Sequence, residues 1–244
     1  MDVTYNPLLV VLSALIAVVA SYTALELASR VKASVGSNRQ LWLIGGAIAM
    51  GTGIWSMHFI AMLAFSIPIY ISYDLIIVIL SLIAAILAAW QALIVVCRPQ
   101  PTSRTIFFGS LSMGMGIAIM HYTGMAAMRM PADLSYKPHL VLLSVVIAIF
   151  VSLVALKLSI RFRNSIKGKD QLLKFINAVI MGVAVLSMHY TGMAAAKFNP
   201  DPTKVVKAAG LDNLSLAYIV CLLTMLILSM TLSTMYIGSE KEAT

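Results

Sequence analysis

Three histidines in this sequence stand in the same chemical setting. Met57-His58-Phe59-Ile60-Ala61-Met62, Met120-His121-Tyr122-Thr123-Gly124-Met125 and Met188-His189-Tyr190-Thr191-Gly192-Met193 each carry methionine directly before the histidine and again four residues after it. Counting back from each histidine, the eighth residue is Met50, Met113 or Met181, and the seventh is Gly51, Gly114 or Gly182. Nine of the sixteen methionines fall in these three registers. Packing alone does not ask for that, because other apolar residues fill core and lipid-facing positions equally well. Imidazole and thioether together suit a soft or borderline metal ion, whereas magnesium and calcium need oxygen donors that these strings do not supply.

The elements that carry the strings must be helices. At about 100° per residue, a histidine and the methionine four residues on share one face. The glycine seven residues before lies within roughly 20° of that direction, where a neighbouring backbone can approach. Hydrophobic residues make up 61% of the chain and charged residues 11%, and the mean hydropathy is +0.96. Such a composition excludes an ordinary soluble domain. Apolar segments near 8–29, 41–64, 75–97, 106–127, 140–160, 172–196 and 215–237 are long enough to cross a hydrocarbon core of about 30 Å. The fold class expected is therefore an all-α integral membrane protein forming one domain over residues 1–244. It has seven transmembrane helices, read as three two-helix repeats plus an extra first helix. The histidines, 63 and then 68 residues apart, fall on the second, fourth and sixth spans.

Of the 17 Lys and Arg residues, twelve fall on one side of this topology and five on the other, and residues 157–174 alone supply six. The richer side is expected in the cytoplasm, which puts the amino terminus outside and the carboxyl terminus inside. All three histidines then lie at one level, on the order of 10 Å below the outer surface. The net charge of +8 reads as topology and headgroup contact, not nucleic-acid binding. The first segment has no basic stretch ahead of it and is too long for a cleaved leader, so it is expected to be a span. Cys97 and Cys221 fall in opposite leaflets and are not expected to pair.

An ionisable side chain inside a span is costly in lipid and must face protein or water. A single histidine would be explained by a hydrogen bond to a neighbouring helix. Three at one depth, each with a methionine one turn later, argue for a shared site. Tyr122 and Tyr190 can orient a neighbour through the hydroxyl or anchor their helices at the interface. Thr123 and Thr191 are expected to bond back to their own helix, and Gly124 and Gly192 to serve close packing. Asp74, at the start of the third span, can hold a ligand histidine by its second nitrogen or simply begin a helix. His139 reads as a loop histidine, and Glu26 pairs locally with Arg30. No carboxylate pair or activated nucleophile points to catalysis, so an enzyme is not expected.

The Met-His-Tyr-Thr string on alternate helices of a seven-span chain resembles the MHYT domain, a bacterial integral-membrane sensor module. The resemblance covers nearly the whole chain; the first copy departs from it at Phe59, Ile60 and Ala61. It implies bound copper, with His58, His121 and His189 as the leading ligands. Met62, Met125 and Met193 follow, then Met57, Met120 and Met188; Tyr122, Tyr190 and Asp74 stay candidates, from their own chemistry, for orienting the ligands. It implies a sensor of oxygen, carbon monoxide, nitric oxide or redox state in the bacterial inner membrane. Output would pass to a cytoplasmic cyclic-di-GMP or DNA-binding domain in cis, and a homodimer is compatible with this. Two other readings stay open: haem b held between two histidines, and a transporter of a metal or small solute.

Overall fold

The computed structural model describes residues 3–162, 169–201, 203–204 and 210–240. Arg163, Lys167, Lys207 and Lys241, used in the charge count, lie outside the described residues, as do the expected breaks at Gly168 and Pro202. Seven helices form among the described residues: α1 (Pro7–Ala33), α2 (Gly36–Ala64), α3 (Leu75–Val96), α4 (Ser103–Ala126), α5 (Pro138–Phe162), α6 (Lys169–Ala195) and α7 (Asn213–Glu240). The first six are long and apolar enough to cross a membrane. Their starts carry the expected chemistry. Asn6 accepts from the Leu8 and Leu9 amides ahead of Pro7, Asp74 accepts from Ile76 and Ile77, and Thr102 accepts from Thr105. Gly36, at φ 58°, turns the chain from α1 into α2, a conformation that costs glycine little.

Three antiparallel ribbons, not expected from the sequence, close one end of the bundle. β1 (Thr4–Tyr5) pairs with β2 (Phe65–Ser66), β3 (Ser72–Tyr73) with β4 (Met128–Arg129), and β5 (Ala132–Tyr136) with β6 (Ala196–Pro200). Each ribbon ties the entry of an odd helix to the exit of the next even one. The structural repeat is thus strand, helix, helix, strand, written three times. The six helices form a closed ring in chain order, because α1 also packs on α6. Reading from the histidines makes α1 the extra helix. In space α1 completes the ring between α6 and α2, and α7 lies outside it against α2. At the α1–α6 seam, Lys174 is buried and its Nζ lies 3.3 Å from Glu26, which also pairs with Arg30 at 3.5 Å. Lys174 therefore belongs to the bundle's interior and not to a solvated loop, because α6 begins before it.

The glycines seven residues before each histidine set how closely the ring packs. A Cβ on Gly51 would meet the Ile86 Cα of α3 at 2.5 Å, and one on Gly114 would meet the Ile149 Cα of α5 at 2.5 Å. One on Gly182 would meet Val18 of α1 at 2.9 Å. Here α1 does for the third copy what α3 and α5 do for the first two. Gly114→Ala is expected to force α4 and α5 apart and cost about 1–3 kcal/mol. Thermal unfolding in detergent measures it, and an unchanged midpoint would show that the seam can yield freely.

Candidate metal centre

α2, α4 and α6 carry the three histidines inward, one turn or two before the ribbons. All three are buried, at 1% exposure or less. His58 Nδ1 lies 3.0 Å from His189 Nδ1 and 3.2 Å from His121 Nδ1. The three donor atoms fall within 4.8 Å of one another. The ring centroids are 4.9, 5.0 and 5.1 Å apart with interplanar angles of 76°, 73° and 90°, a three-bladed arrangement about the bundle axis.

Glycines fix two of these rings. A Cβ on Gly124 of α4 would stand 2.3 Å from His58 Nε2, and one on Gly192 of α6 would stand 2.3 Å from His121 Nε2. The glycine three residues after a histidine thus seats the imidazole of the preceding even helix. The same step around the ring makes Ala61, on α2, the counterpart for His189. Gly124 and Gly192 were expected to serve close packing, and what packs on them is imidazole.

Hydrogen bonding among the histidines does not account for the cluster. A neutral ring nitrogen carries either a proton or a lone pair. One proton on His58 Nδ1 serves one of its two Nδ1 neighbours well, not both. All three Nε2 atoms are also buried without a hydrogen-bond partner among the described residues, at a cost of about 1–3 kcal/mol for each unmet group. Two imidazole nitrogens bound to one ion at about 2.0–2.1 Å lie roughly 3.0–3.4 Å apart, the range in which His58 Nδ1 stands from the Nδ1 atoms of His189 and His121. A shared cation removes the conflict between converging lone pairs, so the residues present fit a metal ion.

The six expected methionine ligands are all buried, at 4% exposure or less. Met62, Met120, Met125, Met188 and Met193 belong to the main core, and Met57 lines a cavity on the bundle axis. The tyrosines do not orient a histidine through the hydroxyl. Tyr122 lies edge-on to His121, and its hydroxyl pairs with Ser144 on α5 at 2.7 Å. Tyr190 lies edge-on to His189, with Ser13 of α1 beside its hydroxyl but outside full hydrogen-bond geometry. In the first copy Phe59 has no hydroxyl, and the Trp55 indole donates instead to Ser81 of α3 at 3.0 Å.

Those three serines went unnoticed in the sequence. Ser13, Ser81 and Ser144 are fully buried and donate to Val10, Val78 and Val141 three residues back. The signal was present: Val10-Val11-Leu12-Ser13, Val78-Ile79-Leu80-Ser81 and Val141-Leu142-Leu143-Ser144 form a second repeat on the odd helices.

Asp74 is likewise not a histidine partner. Its carboxylate caps α3 and pairs with Arg129 across the β3–β4 ribbon. Arg129 first, then the Ile77 and Ile76 amides, hold this carboxyl below its ordinary range. A depressed carboxyl contributes stability above its unfolded pKa and loses it as pH falls through the folded one. Asp74→Asn should therefore melt lower than wild type near neutral pH, and the gap should close in acid. A pH-independent gap in the melting curves would contradict this. His139 is exposed at the start of α5, away from the trio, and Cys221 is exposed on α7.

The profile for the MHYT repeat, described as the bacterial signalling protein N terminal repeat, matches residues 1–39, 51–109, 114–168 and 182–236. The chain belongs to the MHYT family. Three of its matched segments open on Gly51, Gly114 and Gly182, the glycines of close helix approach. The chain is similar to the bifunctional diguanylate cyclase/cyclic di-GMP phosphodiesterase MucR of Pseudomonas aeruginosa, at 43% identity over 240 residues, covering 98% of this chain and 35% of that protein. It is 41% identical over 217 residues to the cyclic di-GMP phosphodiesterase NbdA of the same species, covering 88% of this chain and 28% of that protein. It is 39% identical over 202 residues to the signaling protein YkoW of Bacillus subtilis, covering 82% and 25% respectively. The MHYT chain thus spans about a third or less of the length of these relatives. No solved structure matches it. Six long apolar helices and the family together point to a sensory domain in the bacterial inner membrane.

Proposed function

We propose that this MHYT domain is a sensor whose three histidines hold one copper ion close to the outer face of the inner membrane. The carrying observation is the convergence of three buried imidazoles, with His58 Nδ1 at metal-ligand spacing from the Nδ1 atoms of both His121 and His189 and candidate ligand atoms of all three within 4.8 Å of one another. The ligand chemistry favours copper among the ions that imidazole suits, because soft methionine sulfurs occupy the same helices. Bound copper supplies a redox couple and an open coordination position for a diatomic ligand such as oxygen, carbon monoxide or nitric oxide. The chain's own residues keep water out, seat the His58 and His121 rings against glycine, and link α2 to α3 through Trp55 and Ser81 and α4 to α5 through Tyr122 and Ser144. A change in what the trio holds then shifts how three helix pairs meet, and α7, packed on α2, carries the shift to the cytoplasmic side. The ribbon end lies outside and the carboxyl end inside, as the charge count favours. The names of MucR and NbdA support cyclic-di-GMP turnover as the output of a longer protein containing this domain.

The geometry argues against haem b. Rings about 5 Å apart leave no slot for a macrocycle, and the axial cavities hold only about 40 and 20 Å³. The same small volumes, lined mainly by alanine, methionine and other apolar residues, weigh against a transport path. Protein loaded with one equivalent of Cu(I) is expected to bind carbon monoxide, seen as a shifted C–O stretch in the infrared. Retained copper with no such band would remove gas binding from the proposal and leave redox sensing.

A further inference from the structure

A second tier of methionine lies deeper on the same axis. Met50, Met113 and Met181 stand eight residues before the histidines, about 12 Å along parallel helices. All three are buried. All three line both axial cavities, the one of about 40 Å³ that also reaches Met57, and the one of about 20 Å³ beyond. They therefore stand together where the two cavities meet.

Methionine commonly fills irregular core gaps. Here space remains on both sides of the tier, so the side chains are not used to fill it. The identity repeats three times at a position where leucine would pack. Ser152, which lines the larger cavity, has a buried hydroxyl with no hydrogen-bond partner among the described residues. Three neutral thioethers and a spare hydroxyl oxygen lining one cavity offer a donor set that suits Cu(I) or Ag(I) and not hard cations.

We propose that Met50, Met113 and Met181 form a separate thioether site for a soft monovalent ion, stacked beneath the histidine trio and joined to it by the axial cavity. The site does not depend on the trio binding metal. Silver(I) tests it, using the purified full chain. A His58→Ala, His121→Ala, His189→Ala variant should still bind one silver ion, with sulfur as the scattering shell in X-ray absorption. Adding Met50→Leu, Met113→Leu and Met181→Leu should abolish that binding. A folded histidine variant that binds no silver, shows only nitrogen or oxygen neighbours, or keeps its silver after the leucine changes would overturn the proposal. Should the histidine variant fail to fold, the three leucine changes in the wild-type background should lower silver stoichiometry by one ion per chain. Unchanged stoichiometry there overturns it equally.

Discussion

Protein in which His121 and His189 are both changed to alanine is expected to retain no tightly bound Cu(II) after desalting, while wild type retains one ion per chain. The two substitutions remove two of three histidines whose candidate ligand nitrogens lie within 4.8 Å of one another. A lone His58 cannot hold an ion against exchange. Each single change should already weaken binding by roughly a hundredfold or more, since altering even the partners of a ligand costs about 10–100-fold. The fold should survive. The lost imidazoles are buried polar groups without Nε2 partners, and their removal relieves that cost while leaving a cavity that opposes it. Elemental analysis beside a thermal melt separates lost ligands from lost structure. Copper content unchanged in a folded double variant would remove the site.

Gly192→Ala should strike the metal centre directly through a single added methyl group. The new Cβ would stand 2.3 Å from His121 Nε2, 2.9 Å from its Cδ2 and 3.1 Å from its Cε1. No small rotation of a seated ring escapes three such contacts, so His121 must leave its position. Copper affinity should fall about 10–100-fold, as when a ligand's support is removed, with a stability loss of about 1–3 kcal/mol from overpacking. Gly124→Ala should act alike through His58. Titration with Cu(II) and thermal melts measure the two effects. Wild-type affinity in Gly192→Ala would mean that His121 is not held where a ligand must be.

The trio was legible because its signal is local and repeated: histidine, flanking methionine and the glycine seven residues before recur on three helices. Helix approach at Gly51 and Gly114 followed from the same spacing. The ribbons were not legible. Tyr5 pairs with Phe65, and Tyr136 with Ala196, partners some sixty residues apart in strands of two to five residues, too short for an alternating pattern. Without the ribbons, nothing in the histidine spacing tells whether α1 or α7 completes the ring. The Val-x-Leu-Ser repeat on α1, α3 and α5 does tell, and it marks the serines that take the Tyr122 hydroxyl and the Trp55 indole. Asp74 shows the opposite lesson. A carboxylate at a helix start was better explained by the helix and by Arg129 than by a distant histidine.

The shared ion is tested most directly by X-ray absorption on wild-type protein carrying one equivalent of Cu(II), an oxidation state that thioethers alone hold poorly. Three imidazole rings should appear around the copper, and their outer-shell scattering should vanish in the His121→Ala, His189→Ala variant. A spectrum showing one imidazole or none, unchanged between the two proteins, would contradict a common centre built by His58, His121 and His189.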